Sequence, residues 1–294
     1  MYLLYKLFLM QLPDILVTTD WLEQQLHEPD LRILDCSVSM EVTDDGYQFV
    51  SGRPEYDKGH IPGSVFIDVL GELADADNPV PMMMPPVERV AELMVDRGIG
   101  EGTRAVLYDR GNHAWAARVW WTLRVCGFDH AAILDGGWQK WQKEGRPVST
   151  EPGRHPRGTF KPEPRPELIA DKNEVREAIE NDTIALINAL SPEDFRGEAN
   201  RYGRPGRIPG SENIFCQSLV DPETGAYLPM EQLREKFAAT HAPDAKRAIT
   251  YCGGGIAASS DAFVLTLLGH DNVAVYDGSL AEWTADGDLP METG

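Results

Sequence analysis

The residues best placed to do chemistry lie in one short stretch, Tyr251-Cys252-Gly253-Gly254-Gly255-Ile256-Ala257-Ala258. A β-rich run precedes it and a helical pattern follows. Three consecutive glycines permit positive φ and let several amide N–H groups converge on one point. The start of a helix adds partial positive charge at the same point. A cysteine held there has its thiolate favoured, which makes Cys252 the candidate nucleophile. The amides of Gly253, Gly254, Gly255, Ile256 and Ala257 would cradle a negatively charged sulfur carried on it, a persulfide. The plainer alternative, a buried cysteine beside a tight turn, does not call for strand, glycine run and helix start in that order.

Other constellations carry less. Cys36 ends a strand-like run, Cys126 sits on an apolar helix face, and Cys216 follows Ile214-Phe215 and reads as core. The four cysteines form no CxxC pair and the histidines show no ligand spacing, so no metal is expected. Gly98-Ile99-Gly100-Glu101-Gly102 follows a helix and precedes a strand, the wrong order for a nucleotide loop. A phosphate-holding cysteine loop would need an arginine where Ala258 stands.

The elements that must position Cys252 occur twice. His60-Ile61-Pro62-Gly63-Ser64 is echoed by Arg207-Ile208-Pro209-Gly210-Ser211, Val106-Leu107-Tyr108-Asp109 by Ile249-Thr250-Tyr251-Cys252, and Leu134-Asp135-Gly136 by Tyr276-Asp277-Gly278. Ile33-Leu34-Asp35 and Leu186-Ile187-Asn188 open the copies, and Trp141 and Trp283 close them. The repeat divides the chain into residues 14–150 and 168–294. The proline-rich stretch Glu151 to Glu167 between them reads as an extended linker. Buried β-rich runs at Ala105–Tyr108 and Ala131–Leu134 alternate with helical patterns at Ala114–Cys126 and Ala257–Leu268, which Gly127 and Gly269 stop. The expected fold is α/β: two tandem domains, each a mostly parallel sheet with helices on both faces. Such sheets bind ligands beyond their strands' carboxyl ends, where Asp109 and Cys252 fall.

The chain's 294 residues carry 27 basic and 47 acidic side chains, a net charge of −20. That balance argues against nucleic-acid or anionic-membrane partners. Free thiols point to the cytoplasm. The apolar run Met1–Leu12 is too short to span a bilayer and lacks a charged leader region. It reads as a frayed or misassigned leader, with Met10 a candidate start, and a secretory signal is the lesser reading.

Taken together, Gly59-His60-Ile61-Pro62-Gly63, Ala117-Arg118-Val119-Trp120-Trp121, Leu134-Asp135-Gly136-Gly137, Phe195-Arg196-Gly197, the cysteine loop and Tyr276-Asp277-Gly278 resemble the tandem-domain rhodanese-type sulfurtransferases. The resemblance covers the chain from about Asp14 to its end and implies two rhodanese-like domains. It implies a catalytic cysteine in the second domain only, matching Cys252, with Asp109 at the non-nucleophilic place in the first. It also implies the reaction: Cys252 takes sulfur from thiosulfate or 3-mercaptopyruvate as a persulfide, then passes it to cyanide or a thiol, and no cofactor is expected because the electrons stay with sulfur. A persulfide carrier that serves a protein partner is the alternative.

The implied donors are small anions, for which Arg196 occupies the family's carboxylate-gripping position. Arg201 is a second candidate, with Arg204 and Arg207 close behind. Departures from the family pattern leave the donor open. Gly254 stands where mercaptopyruvate enzymes usually have serine, and neither Gly253 nor Gly254 supplies the cation common in thiosulfate enzymes. Leu70 and Met82 occupy the positions of the proposed proton relay, with Asp68 the nearest acid. Arg207 replaces the histidine of the first copy, and Asn188 the aspartate.

Overall fold

A computed structural model describes residues 12–43, 46–111 and 113–294. Apart from Leu12, which packs against the first core, the apolar amino-terminal run lies outside the described residues. The chain forms two compact units. The first holds the chain to Ala74, Pro85–Pro164 and Glu223–Ala226; the second holds Asp75–Met84, Arg165–Pro222 and Tyr227–Gly294.

The first unit runs β1 (Leu16–Val17), α1 (Thr19–Gln25), β2 (Leu31–Asp35), β3 (Val38–Thr43), β4 (Gly46–Ser51), α2 (Arg53–Lys58), β5 (Ser64–Phe66), α3 (Val87–Asp96), β6 (Arg104–Tyr108), α4 (Ala114–Val125), β7 (Ala131–Leu134) and α5 (Gly137–Lys143). Its sheet has the order β1-β7-β6-β2-β5 and every pairing is parallel. All five residues of β6 are buried, as expected of a central strand covered on both faces. β3 and β4 form a separate antiparallel hairpin that exposes Met40, Val42 and Tyr47. Gly98–Gly102 lies between α3 and β6, and is a turn.

The second unit runs β8 (Ile169–Ala170), α6 (Lys172–Ala178), β9 (Ile184–Asn188), α7 (Pro192–Phe195), β10 (Glu212–Asn213), α8 (Met230–Ala238), β11 (Arg247–Tyr251), α9 (Ile256–Leu267), β12 (Val273–Tyr276) and α10 (Ser279–Trp283). Its parallel sheet, β10-β9-β11-β12-β8, is the first sheet's order over again, with β11 in the place of β6. Each unit is thus α/β, and both sheets are wholly parallel.

The repeat extends to single contacts. Trp141 and Trp283 are fully buried, and their indole N–H groups donate to the carbonyls of Pro147 and Pro290 at 2.8 and 2.9 Å. Tyr108 accepts from the Ile61 amide at 3.3 Å, and Tyr251 from the Ile208 amide at 3.1 Å. Burial holds the Tyr251 phenol neutral, with its pKa pushed up to about 12. α4 and α9 stop at Gly127 and Gly269, whose φ angles of 88° and 91° an L-residue adopts only with strain.

Residues 151–164 form no helix or strand, as their prolines require. They lie along the first unit through amide bonds from Gly153 to the Ser64 carbonyl (2.8 Å), Gly158 to Val95 (2.8 Å) and Glu163 to Cys126 (2.9 Å). A Cβ on Gly158 would stand 2.0 Å from the Ile99 carbonyl oxygen, so only glycine fits there.

Candidate functional site: the cysteine loop

Cys252 follows the last residue of β11, and α9 begins at Ile256. The intervening turn needs Gly255 at φ 78°. Register fixes the turn's height, because Tyr251 pairs with Asn188 of β9 while Thr250 pairs with Val275 of β12. Cys252 is only 2% exposed, so its sulfur is shielded from bulk water.

Ser279 pins the loop. Its hydroxyl accepts from the Cys252 and Gly255 amides, each at 3.1 Å, and donates to the Tyr276 carbonyl at 2.7 Å. That uses the hydroxyl's full capacity of one donor and two lone pairs. The residue reaches this position only at φ 48°, an unusual conformation for a serine. The Cys252 and Gly253 carbonyls in turn accept from the Leu280 and Ala281 amides at 3.1 and 2.9 Å, at the start of α10. The carbonyls therefore point toward α10. The amides of Gly253, Gly254, Ile256 and Ala257 donate to no other atom among the described residues, whereas Gly255, also expected in the cradle, is engaged by Ser279.

In the first unit the corresponding loop, one residue longer, has a carboxylate bound at the start of the helix that follows it. Trp138 N donates to the Asp109 carbonyl at 3.0 Å, as Leu280 does to Cys252, and Gly137 at φ 51° stands in the place of Ser279. The Asp109 carboxylate accepts from the amides of Gly111 at 3.1 Å and Ala116 at 3.0 Å. A negative group bound to the loop's own N–H groups is the state that a charged sulfur on Cys252 would reproduce.

Three further residues border the cysteine loop within the second unit. The Tyr202 ring lies against Gly253, and Met82 with Pro81 lies against Gly254. Met84 N donates to Asp277 at 2.7 Å, which anchors the 75–84 segment there.

The candidate arginines are all engaged. Arg196 donates from Nε and Nη2 to the two oxygens of Glu198 at 2.7 and 3.0 Å, an exposed forked pair. Arg201 reaches Asp194, which is 5% exposed, at 2.5 Å through one nitrogen. Its other two nitrogens have no acceptor among the described residues. Arg204 donates to the Asp286 and Leu289 carbonyls at 3.1 and 2.8 Å. Arg207 pairs with Glu292 at 2.5 Å and stacks on Phe195 at 4.4 Å, as His60 stacks on Tyr56 at 3.9 Å. Both residues thus tie a loop to an aromatic of the preceding helix.

The other replacement between the copies has an electrostatic reason. Asp35 and Asn188 each accept from the amide two residues on, at 3.0 and 2.9 Å. Asp35 also faces Arg110 at 3.5 Å, and the second copy has Gly253 at that place. A neutral Asn188 avoids an uncompensated buried charge beneath the cysteine loop. Asp68 accepts from the Gly71 amide at 3.3 Å, a turn-forming role.

The remaining thiols are buried, and all four cysteines are free. Burial, with Asp35 and Asp109 nearby, pushes the Cys36 thiol up; burial alone carries most of the rise to about 12 at Cys126. Burial, then Asp261 and Cys252, raises Cys216. These thiols stay protonated near neutrality and are poor nucleophiles. Among the described residues no cluster of ligands could hold a metal, and no helix is long and apolar enough to cross a membrane.

A doubled parallel sheet with a strand–cysteine–glycine–helix loop at one central strand defines an α/β protein of the rhodanese type. The rhodanese-like domain family matches residues 18–144 and again 171–286, and the chain belongs to that family. It is 32% identical to the 3-mercaptopyruvate sulfurtransferase of Escherichia coli K12, over 94% of this chain and 97% of that protein. It is 34% identical to the sulfur carrier protein TtuD of Thermus thermophilus, over 96% and 98%. The crystal structure of SseA from Escherichia coli, described as a 3-mercaptopyruvate sulfotransferase, superimposes with a TM-score of 0.80 at 30% identity, covering 90% of this chain and 98% of that one.

Proposed function

We propose that this chain is a sulfurtransferase in which Cys252 carries the sulfur as a persulfide. The observation that bears the reading is the cysteine loop itself. Its Cys252 and Gly253 carbonyls are turned to α10 and four of its amides have no acceptor among the described residues, while in the copy lacking the cysteine a carboxylate accepts from amides of the corresponding loop and helix start.

With 3-mercaptopyruvate, the Cys252 thiolate attacks the donor's thiol sulfur. The sulfur–carbon bond breaks, its electron pair leaves on the pyruvate enolate, and a proton from solvent completes pyruvate. With thiosulfate, the sulfur–sulfur bond breaks and its pair leaves on sulfite. An acceptor thiolate or cyanide then takes the outer sulfur and returns the Cys252 thiolate. The loop amides and the start of α9 stabilise the negative sulfur in both half-reactions. The sulfur's own electron pairs balance each step.

Arg196 is the donor-carboxylate clamp in this reading. An exposed ion pair such as Arg196–Glu198 is worth only about 0–1 kcal/mol, so a donor carboxylate displaces Glu198 at little cost. Arg201, held from behind by Asp194, presents its remaining N–H groups as the second clamp, while Arg204 and Arg207 fasten backbone. The copies at 14–150 and 168–294 are a supporting and a catalytic domain joined through 151–167. Four free thiols suit a reducing, cytoplasmic setting.

Thiocyanate formation from cyanide, with thiosulfate and mercaptopyruvate compared side by side, tests the reading. Donor should add the mass of one sulfur atom to Cys252, and Cys252→Ser should abolish that addition. Its persistence in Cys252→Ser overturns the assignment. A second reading, a carrier that hands sulfur to a protein partner, draws on the occupied arginines and the carrier relative. Loading of Cys252 without turnover on either donor would favour it.

A further inference from the structure

Position 253, the first after the nucleophile, has no side chain, and another part of the chain occupies the space one would fill. A Cβ built on Gly253 would stand 2.1 Å from Cε1, 2.4 Å from Cζ and 2.7 Å from the hydroxyl of Tyr202. A side chain at 253 would require the phenol end of Tyr202 to swing aside, so the ring as it stands fills the space that the bare Gly253 backbone leaves. Gly254 differs, because its nearest neighbours, the Met82 Cβ and the Pro81 carbonyl, stand at 3.8 Å, ordinary contact distance.

Tyr202 is held in place from several directions. The Thr284 hydroxyl donates to its carbonyl. Gly203, at φ 87°, turns the chain beside Thr284, and Gly206, at φ 99°, packs so tightly that a Cβ would meet the Glu292 carbonyl oxygen at 2.1 Å. Arg201 before it is tied to Asp194, and Arg204 after it to two carbonyls. A ring fixed by its own backbone in this way is part of the wall beside the cysteine loop.

The chemistry of that wall sets which donor it suits. A cation next to the nucleophile would compensate a dianion such as thiosulfate. A phenol brings no net charge, an apolar face and one hydroxyl. It suits the uncharged thiol–carbonyl end of a monoanionic donor whose carboxylate is gripped elsewhere. We propose that Tyr202 is a donor-specificity residue: lent to the empty side-chain position of Gly253, its ring favours a mercapto-carbonyl carboxylate over thiosulfate. This rests on the reading that Cys252 carries the sulfur.

The test is the ratio of kcat/KM for mercaptopyruvate to that for thiosulfate, measured alongside sulfur loading of Cys252 by mass. Tyr202→Ala should lower the ratio about tenfold, mainly by losing mercaptopyruvate activity. Tyr202→Phe, which keeps the ring, should hold the ratio within about threefold of wild type. Tyr202→Leu gives the same test as the alanine variant should that one fail to fold. A ratio within about twofold of wild type in a folded, sulfur-loading Tyr202→Ala or Tyr202→Leu protein overturns the inference and leaves the function intact. A wild-type chain in which neither donor loads Cys252 overturns the function and the inference with it.

Discussion

Removing the Ser279 hydroxyl is the sharpest perturbation of the cysteine loop. Ser279→Ala removes the acceptor of two buried amides, Cys252 and Gly255, and the donor to the Tyr276 carbonyl. Buried groups left without partners cost about 1–3 kcal/mol each, and with partial relaxation the loss should be roughly 2–5 kcal/mol. Ser279→Gly loses the same bonds but relieves the positive φ of 48°, which costs an L-residue about 1–2 kcal/mol. Glycine is also what the first unit carries at this position, Gly137 at φ 51°. The expected order of stability is therefore wild type, then glycine, then alanine, with glycine above alanine against their helix propensities. Urea unfolding measures the order, and amide hydrogen exchange over residues 252–257 localises the loss to the loop. Sulfur loading of Cys252 should slow in both variants. If Ser279→Ala unfolds within about 0.5 kcal/mol of wild type with unchanged exchange in the loop, the hydroxyl does not hold it and the reasoning fails.

Three other outcomes are expected. Glu198→Gln should free Arg196 and lower the donor KM, whereas Arg196→Ala should raise KM with little change in kcat; steady-state kinetics on both donors decides it. Gly254→Ser should be tolerated in urea unfolding, since its nearest neighbours stand 3.8 Å from the new Cβ, while Gly255→Ala at φ 78° should lose about 1–2 kcal/mol. Asp261 is 0% exposed with neither oxygen hydrogen-bonded, and burial raises its pKa well above the carboxylate range. Its folded-state pKa exceeds its unfolded one, so the stability it contributes is whole below the unfolded value near pH ~4 and is lost as pH rises toward the folded value. Asp261→Asn should flatten that decline, and identical pH slopes in urea unfolding would refute it.

The parallel α/β character, the doubling and the cysteine loop were legible because each leaves a local trace: a buried β-rich run, a glycine at a helix stop, a landmark that recurs. Asp109 could be paired with Cys252 from the alignment of the copies alone. Ser279 could not be recognised in the same way, because a serine forced to positive φ looks like any other serine. The one available signal was that Gly137 of the first copy stands in its place. Tyr202 left no trace, since its contact with Gly253 depends on how Thr284, Gly203 and Gly206 fold a distant loop back. The apolar spacing of Phe263, Val264, Leu267 and Leu268 marked the face of α9 without revealing that Asp261 is also buried. The exchange of Asp35 for Asn188 became intelligible only once Arg110 was seen opposite Asp35.

The carboxylate of Asp109 lying in its own cradle has a consequence for how the two halves respond to sulfur supply. A persulfide on Cys252 acts as a tethered ligand, and a ligand that binds only the folded state raises its stability. The first unit is permanently saturated by a ligand that its own sequence encodes, so its melting should be indifferent to donor concentration. If Cys252 carries sulfur as proposed, the second gains stabilising contacts only while loaded. On that reading the first unit is an internal reference against which a donor-dependent gain in the second unit's stability can be measured.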